Sequence, residues 1–479
     1  MNTGMIQRSC LYFLTQNTLS FDFVKTLDNI RFCCYDRYAS YADNKRKGES
    51  LSAFHWLPVN QNVRNFNKHA AVDLIRFADR GISRADLADK MGLTRAAVTV
   101  IINDLISNGI ILNTESRSTS SGRPPVALEI NPTQGLVAAV DMGAMHLSVA
   151  LGDFSARILE EIEVPFRVDC GPKESLQEAD TILRELLKKR GLSTPDLAAI
   201  GVGVPGPVIA DKGMVMAPPI MPGWDRFPIR LTLESEWGTA VTLNNDAELG
   251  ALGEWAYGAG RGEKNLAFIK VGSGIGAGLI INQQIYGGTT GSAGEIGHLT
   301  IDENGPLCSC GNRGCLEAFA GGHAIASQAR NLVASGKRTL LSEKSPDSIT
   351  ARDVAEAARR GDLAAQAIIQ RSGTFIGIAI AGLINLFNPS TVIIGGGVAQ
   401  VGDLLTGPIR QAVRERSLRA SEHGVRITTA MLGRRSSLIG ALVQAINFAI
   451  HTAIEHRSHF PKNTTLPLNV EHIRESNLP

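Results

Sequence analysis

Side chains that bind a soft metal ion lie close together near the middle of the chain. One imidazole and three thiols occur within a short segment: His298, Cys308, Cys310 and Cys315. This Cys3His set suits tetrahedral zinc, and four protein ligands leave no open position for water, so we expect a structural zinc. Gly311 and Gly314 let the backbone turn tightly enough for the thiols to converge. The alternative is three buried cysteines and a surface histidine without metal.

Two carboxylates flank the predicted metal site. Glu295 precedes His298, and Glu317 follows the last cysteine; a glycine-rich turn, GSGIGAG, lies at 272–278. A metal-supported loop is a rigid base for a polar ligand site. Two carboxylates and an imidazole beside such a turn can hydrogen-bond several hydroxyls, so the sequence predicts a sugar site.

The motifs GSGIGAG, AGEIGH and CxCGxxGCLE resemble those of the ROK family, which contains sugar kinases and sugar-responsive repressors of the N-acetylglucosamine and xylose type. The resemblance extends from about residue 65 to about residue 450. It implies an α/β protein: a winged helix-turn-helix followed by a two-lobed, actin-like (ribonuclease H-like) ATPase or sugar-kinase fold.

Composition narrows the class of protein. The 48 basic and 46 acidic residues give no strong electrostatic indication of nucleic acid or membrane. Seven cysteines, three of them assigned to metal, favour a reducing cytosol over a disulfide framework. We find no apolar run long enough to span a bilayer and no secretory signal, so we expect a cytoplasmic protein. A length of 479 residues predicts about three domains.

The pattern from residue 67 onward predicts three short helices. Ser83 is placed to cap the second helix, with Asp86 at the capping-box position, and Thr94 is placed to cap the third. Gly92 makes the turn between them, which is the DNA-binding helix-turn-helix layout. Two strands, 110–112 and 126–130, then flank a polar loop, which predicts a wing; its GRPP segment resembles the wing of ROK repressors.

The exposed start of the third helix normally enters the major groove. The predicted DNA contacts there and in the wing are Thr94, Arg95, Ala96, Thr99, Arg117 and Arg123. Arg95 is suited to a guanine edge and Ala96 to a thymine methyl, whereas wing arginines reach phosphates or a narrow minor groove. The alternative for each residue is ordinary solvent exposure. Because the charge of this segment is nearly balanced, we expect operator binding to require a homodimer or a larger homo-oligomer.

The resemblance also bears on catalysis. ROK kinases begin their first lobe with a DxGxT phosphate loop, and this chain keeps Asp141 and Gly143 but has Ala144 and Met145 in place of the second glycine and the threonine. Loss of the hydroxyl argues against phosphoryl transfer, which depends on positioning and charge stabilisation. We therefore expect no catalytic residue.

A strand that leads into a helix carries Asn245 and Asp246. In the kinases the matching aspartate is the catalytic base, and the asparagine binds sugar. Here Asp246 can still accept a hydrogen bond from a hydroxyl without chemistry. The predicted sugar-binding set is Asn245, Asp246, Glu295, His298 and Glu317.

These patterns predict a sugar-responsive transcriptional repressor of carbohydrate genes, with operator DNA and a sugar or sugar phosphate as partners. An active sugar kinase with an appended DNA-binding domain, and a scaffold controlled by a protein partner, are the alternatives. The predicted domains are an irregular extension (1–60), the winged helix-turn-helix (61–131), a first lobe (132–246, completed by 435–456), a second lobe with the zinc site (247–434) and a disordered tail (457–479).

Overall fold

A computed structural model describes residues 63–78, 81–115 and 126–456. The predictions for the extension at 1–60, for the tail at 457–479 and for Arg117 and Arg123 lie outside these residues. The described chain forms two compact units, the smaller one N-terminal and the larger one containing residues 130–456.

The N-terminal unit contains three helices and a two-stranded sheet: α1 (Val63–Arg76), α2 (Arg84–Met91), α3 (Arg95–Ser107), β1 (Ile111–Glu115) and β2 (Val126–Ile130). Ser83 caps α2 by accepting a hydrogen bond from the N–H of Asp86 at 3.1 Å. Thr94 does the same for α3 through the N–H of Ala97 at 3.2 Å. Gly92 adopts φ 62°, the left-handed conformation expected of a turn glycine. The predicted caps and turn are confirmed.

The larger unit begins with a five-stranded sheet. Its strands are β3 (Leu136–Met142), β4 (His146–Asp153), β5 (Ile158–Pro165), β6 (Ile200–Val204) and β9 (Val241–Asn245), with the two-stranded ribbon β7 (Val208–Ile209) and β8 (Met214–Val215) beside it. The strand order is β5-β4-β3-β6-β9. β3 pairs antiparallel with β4 and parallel with β6, which in turn is parallel to β9.

A second five-stranded sheet repeats this order. Its strands are β10 (Leu266–Val271), β11 (Ile275–Ile281), β12 (Gln284–Ile285), β13 (Thr391–Gly395) and β14 (Arg426–Thr429), in the order β12-β11-β10-β13-β14. β10 pairs antiparallel with β11 and parallel with β13, and β13 is parallel to β14. Each sheet thus starts with an antiparallel hairpin and continues with parallel strands.

The helices of this unit are α4 (Pro172–Lys188), α5 (Ile229–Trp237), α6 (Asp246–Tyr257), α7 (Leu316–Ala320), α8 (Gly322–Ala334), α9 (Ala351–Arg359), α10 (Leu363–Phe387), α11 (Asp403–Arg416), α12 (Arg419–Glu422) and α13 (Ser436–His456). The last helix packs on α6 and on the first sheet, as its apolar sequence predicts. The alanine-rich segment at 353–371 is divided between α9 and α10, because Gly361 adopts φ 91° and Asp362 caps α10.

Two segments, Leu363–Phe387 and Gly433–His456, are long and apolar enough to cross a membrane. The expectation that the chain lacks such a run is therefore wrong by length and composition. However, 61% and 67% of their apolar windows are buried within the protein. Both segments are therefore largely helices of the protein core, since a helix that is apolar on most of its faces is buried.

Candidate functional site

The four predicted metal ligands converge. The ligand atoms of His298, Cys308, Cys310 and Cys315 all lie within 4.8 Å of one another. Cys310 Sγ is 3.7 Å from Cys315 Sγ, and Cys308 Sγ is 3.7 Å from His298 Nδ1. A tetrahedron with Zn–S bonds of about 2.3 Å has edges of about 3.8 Å. The described donors therefore have the chemistry and the spacing that a tetrahedral ion requires.

The backbone brings the thiols together through left-handed glycines. Gly311 has φ 92° and Gly314 has φ 71°. A Cβ on Gly314 would lie 1.6 Å from the carbonyl oxygen of Asp302, so no other residue fits there without moving the chain. The tight turn that the sequence predicted is present.

The thiols of this cluster affect one another. Burial and then hydrogen bonds with the neighbouring thiols raise the pKa of Cys315 to about 12. Burial opposes ionisation of Cys310 as well, but backbone and thiol hydrogen bonds outweigh it and lower the pKa of that thiol. A divalent cation would stabilise the thiolates of such a cluster together.

Both flanking carboxylates lie next to this cluster. Glu317 Oε2 accepts a hydrogen bond from the N–H of Ile275 at 2.9 Å, at the end of the glycine-rich turn. Glu295 is half-buried, and its Oε2 lies 4.0 Å from His298 Nε2. Burial raises the pKa of Glu295, His298 lowers it, and the charges of Asp246 and Glu317 raise it further. Asp246, Glu295 and Glu317 are therefore electrostatic neighbours.

Asn245 has a local role at the start of α6. Its Oδ1 accepts hydrogen bonds from the N–H groups of Ala247 and Glu248 at 2.8 and 3.3 Å. Its Nδ2 donates to the carbonyl of Gly206 at 2.8 Å. The side chain thus caps the helix and ties it to the turn after β6.

Sequence reasoning missed the partner of Asp246. Lys270 on β10 donates from Nζ to Asp246 Oδ2 at 2.8 Å and to Ser437 Oγ at 3.2 Å. Burial opposes the charge of Lys270, but Asp246 and then Asp141 outweigh it and raise the pKa of this lysine. The signal in the sequence was a single lysine in the apolar strand LAFIKV, which demands a buried counter-charge.

A second missed residue is His146, which covers the first hairpin turn. Its Nε2 lies 3.4 Å from Asp141 Oδ2. A Cβ on Gly143 would lie 2.1 Å from Cε1 of His146, so the ring rests directly over that glycine. Burial would raise the pKa of Asp141, but Lys270 and then His146 outweigh it and lower the pKa. Met145, at the position of the kinase threonine, is exposed.

Glu248 lies in the first turn of α6, and only 3% of it is exposed. Burial raises its pKa to about 8. The neighbouring Asn244 amide lowers this pKa, and the charge of Glu295 raises it further. This carboxyl is therefore largely protonated at neutral pH and adds little negative charge.

The start of α3 presents the predicted DNA-contacting side chains to solvent. Thr94, Arg95, Ala96 and Thr99 are all exposed, and none of the described ion pairs involves Arg95. The Thr99 hydroxyl donates to the carbonyl of Arg95 at 2.7 Å, so it is already engaged. Val100 is 57% exposed beside them. Sequence reasoning missed this apolar residue, which is suited to a thymine methyl.

Comparisons with known proteins agree with this architecture. The model of the ROK family matches residues 137–447, and that of the winged helix-turn-helix DNA-binding domain matches residues 77–111. The chain therefore belongs to the ROK family. Its fold is the two-lobed sugar-kinase fold preceded by a winged helix, as the sequence predicted.

Individual relatives differ in their activities. A putative xylose repressor from Caldicellulosiruptor sp. is 33% identical over 77% of this chain and 92% of its own length. A glucokinase from Halalkalibacterium halodurans is 36% identical over 63% of this chain and 92% of its own length. The crystal structure of a ROK transcriptional regulator, a homologue of the E. coli MLC protein, superposes with a TM-score of 0.69 at 27% identity, covering 83% of this chain and all of the other.

Proposed function

We propose that this protein is a cytoplasmic, sugar-responsive transcriptional repressor of carbohydrate metabolism genes. The observation that carries the proposal is that one chain joins a winged helix-turn-helix to a ROK domain. The phosphate loop of this domain lacks the kinase threonine, and the His146 ring covers it. Similarity to a xylose repressor over 92% of that protein's length supports it. Sugar bound in the ROK domain releases operator DNA.

The DNA-binding role is assigned to α3 and the wing. Arg95, Ala96 and Thr99 lie on the exposed start of α3, and Thr94 caps it. Arg117 and Arg123 of the wing sequence are proposed as phosphate or minor-groove contacts. Two recognition helices about 34 Å apart would contact successive major grooves, so we propose a homodimer on a two-fold operator.

The sugar-binding role is assigned to Asn245, Asp246, Glu295, His298 and Glu317. The charges of Asp246 and Glu317 both act on Glu295, and Glu295 lies 4.0 Å from His298, which supports a common site. In this site Asn245 acts mainly by holding α6 in place. Each hydrogen bond from a hydroxyl to a charged group contributes about 1.5–3 kcal/mol, so a few of them give selective binding.

Zinc is proposed as a structural cofactor, held by His298, Cys308, Cys310 and Cys315. The convergence of all four ligand atoms within 4.8 Å supports this assignment. His298 would bind through Nδ1, the atom nearest Cys308, and leave Nε2 toward Glu295. The metal would then fix the position of two proposed sugar-binding side chains.

A sugar kinase is the alternative function. The presence of Asp246 at the position that resembles the kinase base and 36% identity to a glucokinase favour it. Against it, the turn at Gly143 is covered by His146, and Met145 provides no hydroxyl. Asp246 Oδ2 also accepts a hydrogen bond from Lys270 Nζ at 2.8 Å, so this oxygen is already engaged.

Fluorescence anisotropy on DNA from upstream of the protein's own gene tests the proposal. The full-length protein is titrated at a fixed, stated salt concentration, and sugars are then added without ATP. We expect binding of the DNA and its release by one sugar. Binding without release by any sugar would favour control by a protein partner. ADP release in a separate assay with ATP and a sugar would favour the kinase.

Arg95→Ala separates the two roles. Loss of a base-edge contact costs about 1–3 kcal/mol, or roughly 5- to 150-fold in operator affinity. Sugar affinity should stay unchanged. The matched control is Arg352→Ala, which removes an exposed arginine from the first turn of α9 and should leave both affinities unaltered.

A further inference from the structure

Few basic side chains act on the carboxylates of the proposed sugar site. Lys270 donates to Asp246 at 2.8 Å and also acts on Asp141, so one lysine serves two aspartates. In the described part of the chain, the basic side chains that lower the pKa of Asp141 or oppose the rise of that of Glu295 are Lys270, His146 and His298. Of these, His298 belongs to the proposed zinc cluster. No arginine contributes to either carboxylate among these residues.

The helix beside the site does not offer an anion-binding end. The first N–H groups of a helix normally attract phosphate. At the start of α6, two of them already donate to the Asn245 side chain. Asp246 also lies in this first turn and makes its field less favourable for a second anion.

The first hairpin turn is likewise occupied by the chain itself. The N–H of Gly143 donates to the carbonyl of His146 at 2.9 Å. The His146 ring rests over the Cα of Gly143 and faces Asp141. A phosphate at this turn would displace the imidazole and meet the aspartate.

The glycine-rich turn between β10 and β11 is lined by an anion as well. Glu317 Oε2 accepts a hydrogen bond from the N–H of Ile275. A Cβ on Gly274 would lie 2.2 Å from the same oxygen. A carboxylate therefore occupies the place where a phosphate oxygen would bind to this turn.

We infer that the proposed sugar site takes a neutral sugar and rejects sugar phosphates, an inference that rests on the sugar-responsive function proposed above. A neutral hydroxyl donates to a carboxylate, whereas a phosphate dianion has no proton to donate and is repelled. Selectivity thus comes from like charges on the carboxylates of the site and on the phosphate.

Isothermal titration calorimetry on the full-length protein tests this inference. The probes are D-xylose, D-glucose and N-acetyl-D-glucosamine, each paired with its terminal phosphate ester. We expect a neutral sugar to bind and its ester to bind more weakly by on the order of 100-fold at low salt, from like charges several ångströms apart. The difference should shrink as salt screens the repulsion.

Glu295→Gln provides the second arm, because it removes one negative charge with almost no change in shape. The ratio of ester to neutral-sugar affinity should rise by roughly tenfold, since one repelling charge is lost. The matched control is Glu185→Gln, an exposed carboxylate on α4, which should leave the ratio unchanged. A ratio that does not respond to Glu295→Gln would overturn the electrostatic explanation.

The remaining outcomes separate this inference from the proposed function. If a phosphate ester binds as tightly as its neutral sugar and releases the operator, the inference is wrong and the sugar-responsive repressor stands. If none of the six compounds binds and none releases operator DNA, both the inference and sugar control by these ligands fall.

Discussion

The two sheets of the ROK domain have the same strand order, yet their first hairpin turns differ. In the first sheet, the turn after β3 is covered by His146, an imidazole supplied by the next strand. In the second sheet, the turn after β10 is lined by Glu317, which comes from beyond the metal cluster. The same hairpin turn is thus covered by an imidazole in the first sheet and lined by a carboxylate in the second.

This difference agrees with the proposal that the kinase-like fold of this protein binds a sugar without phosphorylating it. Phosphoryl transfer needs both turns free to hold phosphates and cations. Here the first turn lacks the kinase threonine and is covered, while the second is tied to a carboxylate and, through the cysteine loop, to the proposed zinc. Lys270 of the second sheet then bonds Asp246 at the end of the first. A buried charge pair thus links the two halves of the domain.

The largest expected effect comes from breaking the proposed zinc cluster of the second half. Cys310→Ser should abolish zinc binding, because one of four ligands is lost. Folding-coupled zinc binding contributes roughly 10–16 kcal/mol in small peptides, so we expect a loss of several kcal/mol here and a loss of sugar binding. Elemental analysis measures the zinc content, and chemical denaturation measures the free energy of unfolding.

Cys170→Ser is the matched control for this variant. Cys170 is exposed, and it is not part of the cysteine cluster. Its replacement should alter neither zinc content nor stability. Undiminished zinc in Cys310→Ser would show that the ligand assignment is wrong.

The second effect tests the pair that joins the two halves. Lys270→Met leaves Asp246 and Asp141 without their buried counter-charge, which should cost about 3 kcal/mol of unfolding free energy. The double variant Lys270→Met/Asp246→Asn should recover part of this loss, because a neutral amide needs no cation. Urea denaturation of the four proteins of the cycle gives the coupling energy.

A more exposed ion pair serves as the control for the unfolding free energies of this cycle. Lys344→Met breaks the pair with Asp353, in which half of the lysine is exposed, and should cost less than about 1 kcal/mol. If Lys270→Met lowered the free energy of unfolding by no more than Lys344→Met does, the Lys270–Asp246 pair would not stabilise the contact between the halves.

The sequence was sufficient where local chemistry decides the structure. The caps at Ser83 and Thr94 and the glycines of the cysteine loop have local physical signals, and they lie as predicted. The pairing of Lys270 with Asp246 joins residues that are distant in sequence, so no local pattern could predict it. His146 was missed for a different reason. Its role depends on the ring lying over Gly143, and only coordinates show that conformation.

The wing marks another limit. Arg117 and Arg123 were predicted to contact DNA, but they lie outside the described residues, so their role stays a prediction. The exposure of Val100 was not predicted, because an argument from helical periodicity assigns apolar residues to the buried face of the helix. On α3 the helix has its buried face at Val98, Ile101, Ile102 and Leu105, which leaves Val100 on the opposite side.

The smallest effect concerns the acid that is buried beside the first sheet. Burial raises the folded-state pKa of Glu248 to about 8, above an unfolded value near 4.3. The native state therefore binds more protons than the unfolded state between these values, and stability falls as pH rises through this window. Glu248→Gln removes that dependence, so it should stabilise by about 1 kcal/mol at pH 5 and by roughly 3 kcal/mol at pH 8. Taking the difference between variant and wild type at each pH cancels the pH dependence of zinc binding. An equal difference at both pH values would mean that Glu248 ionises normally in the folded protein.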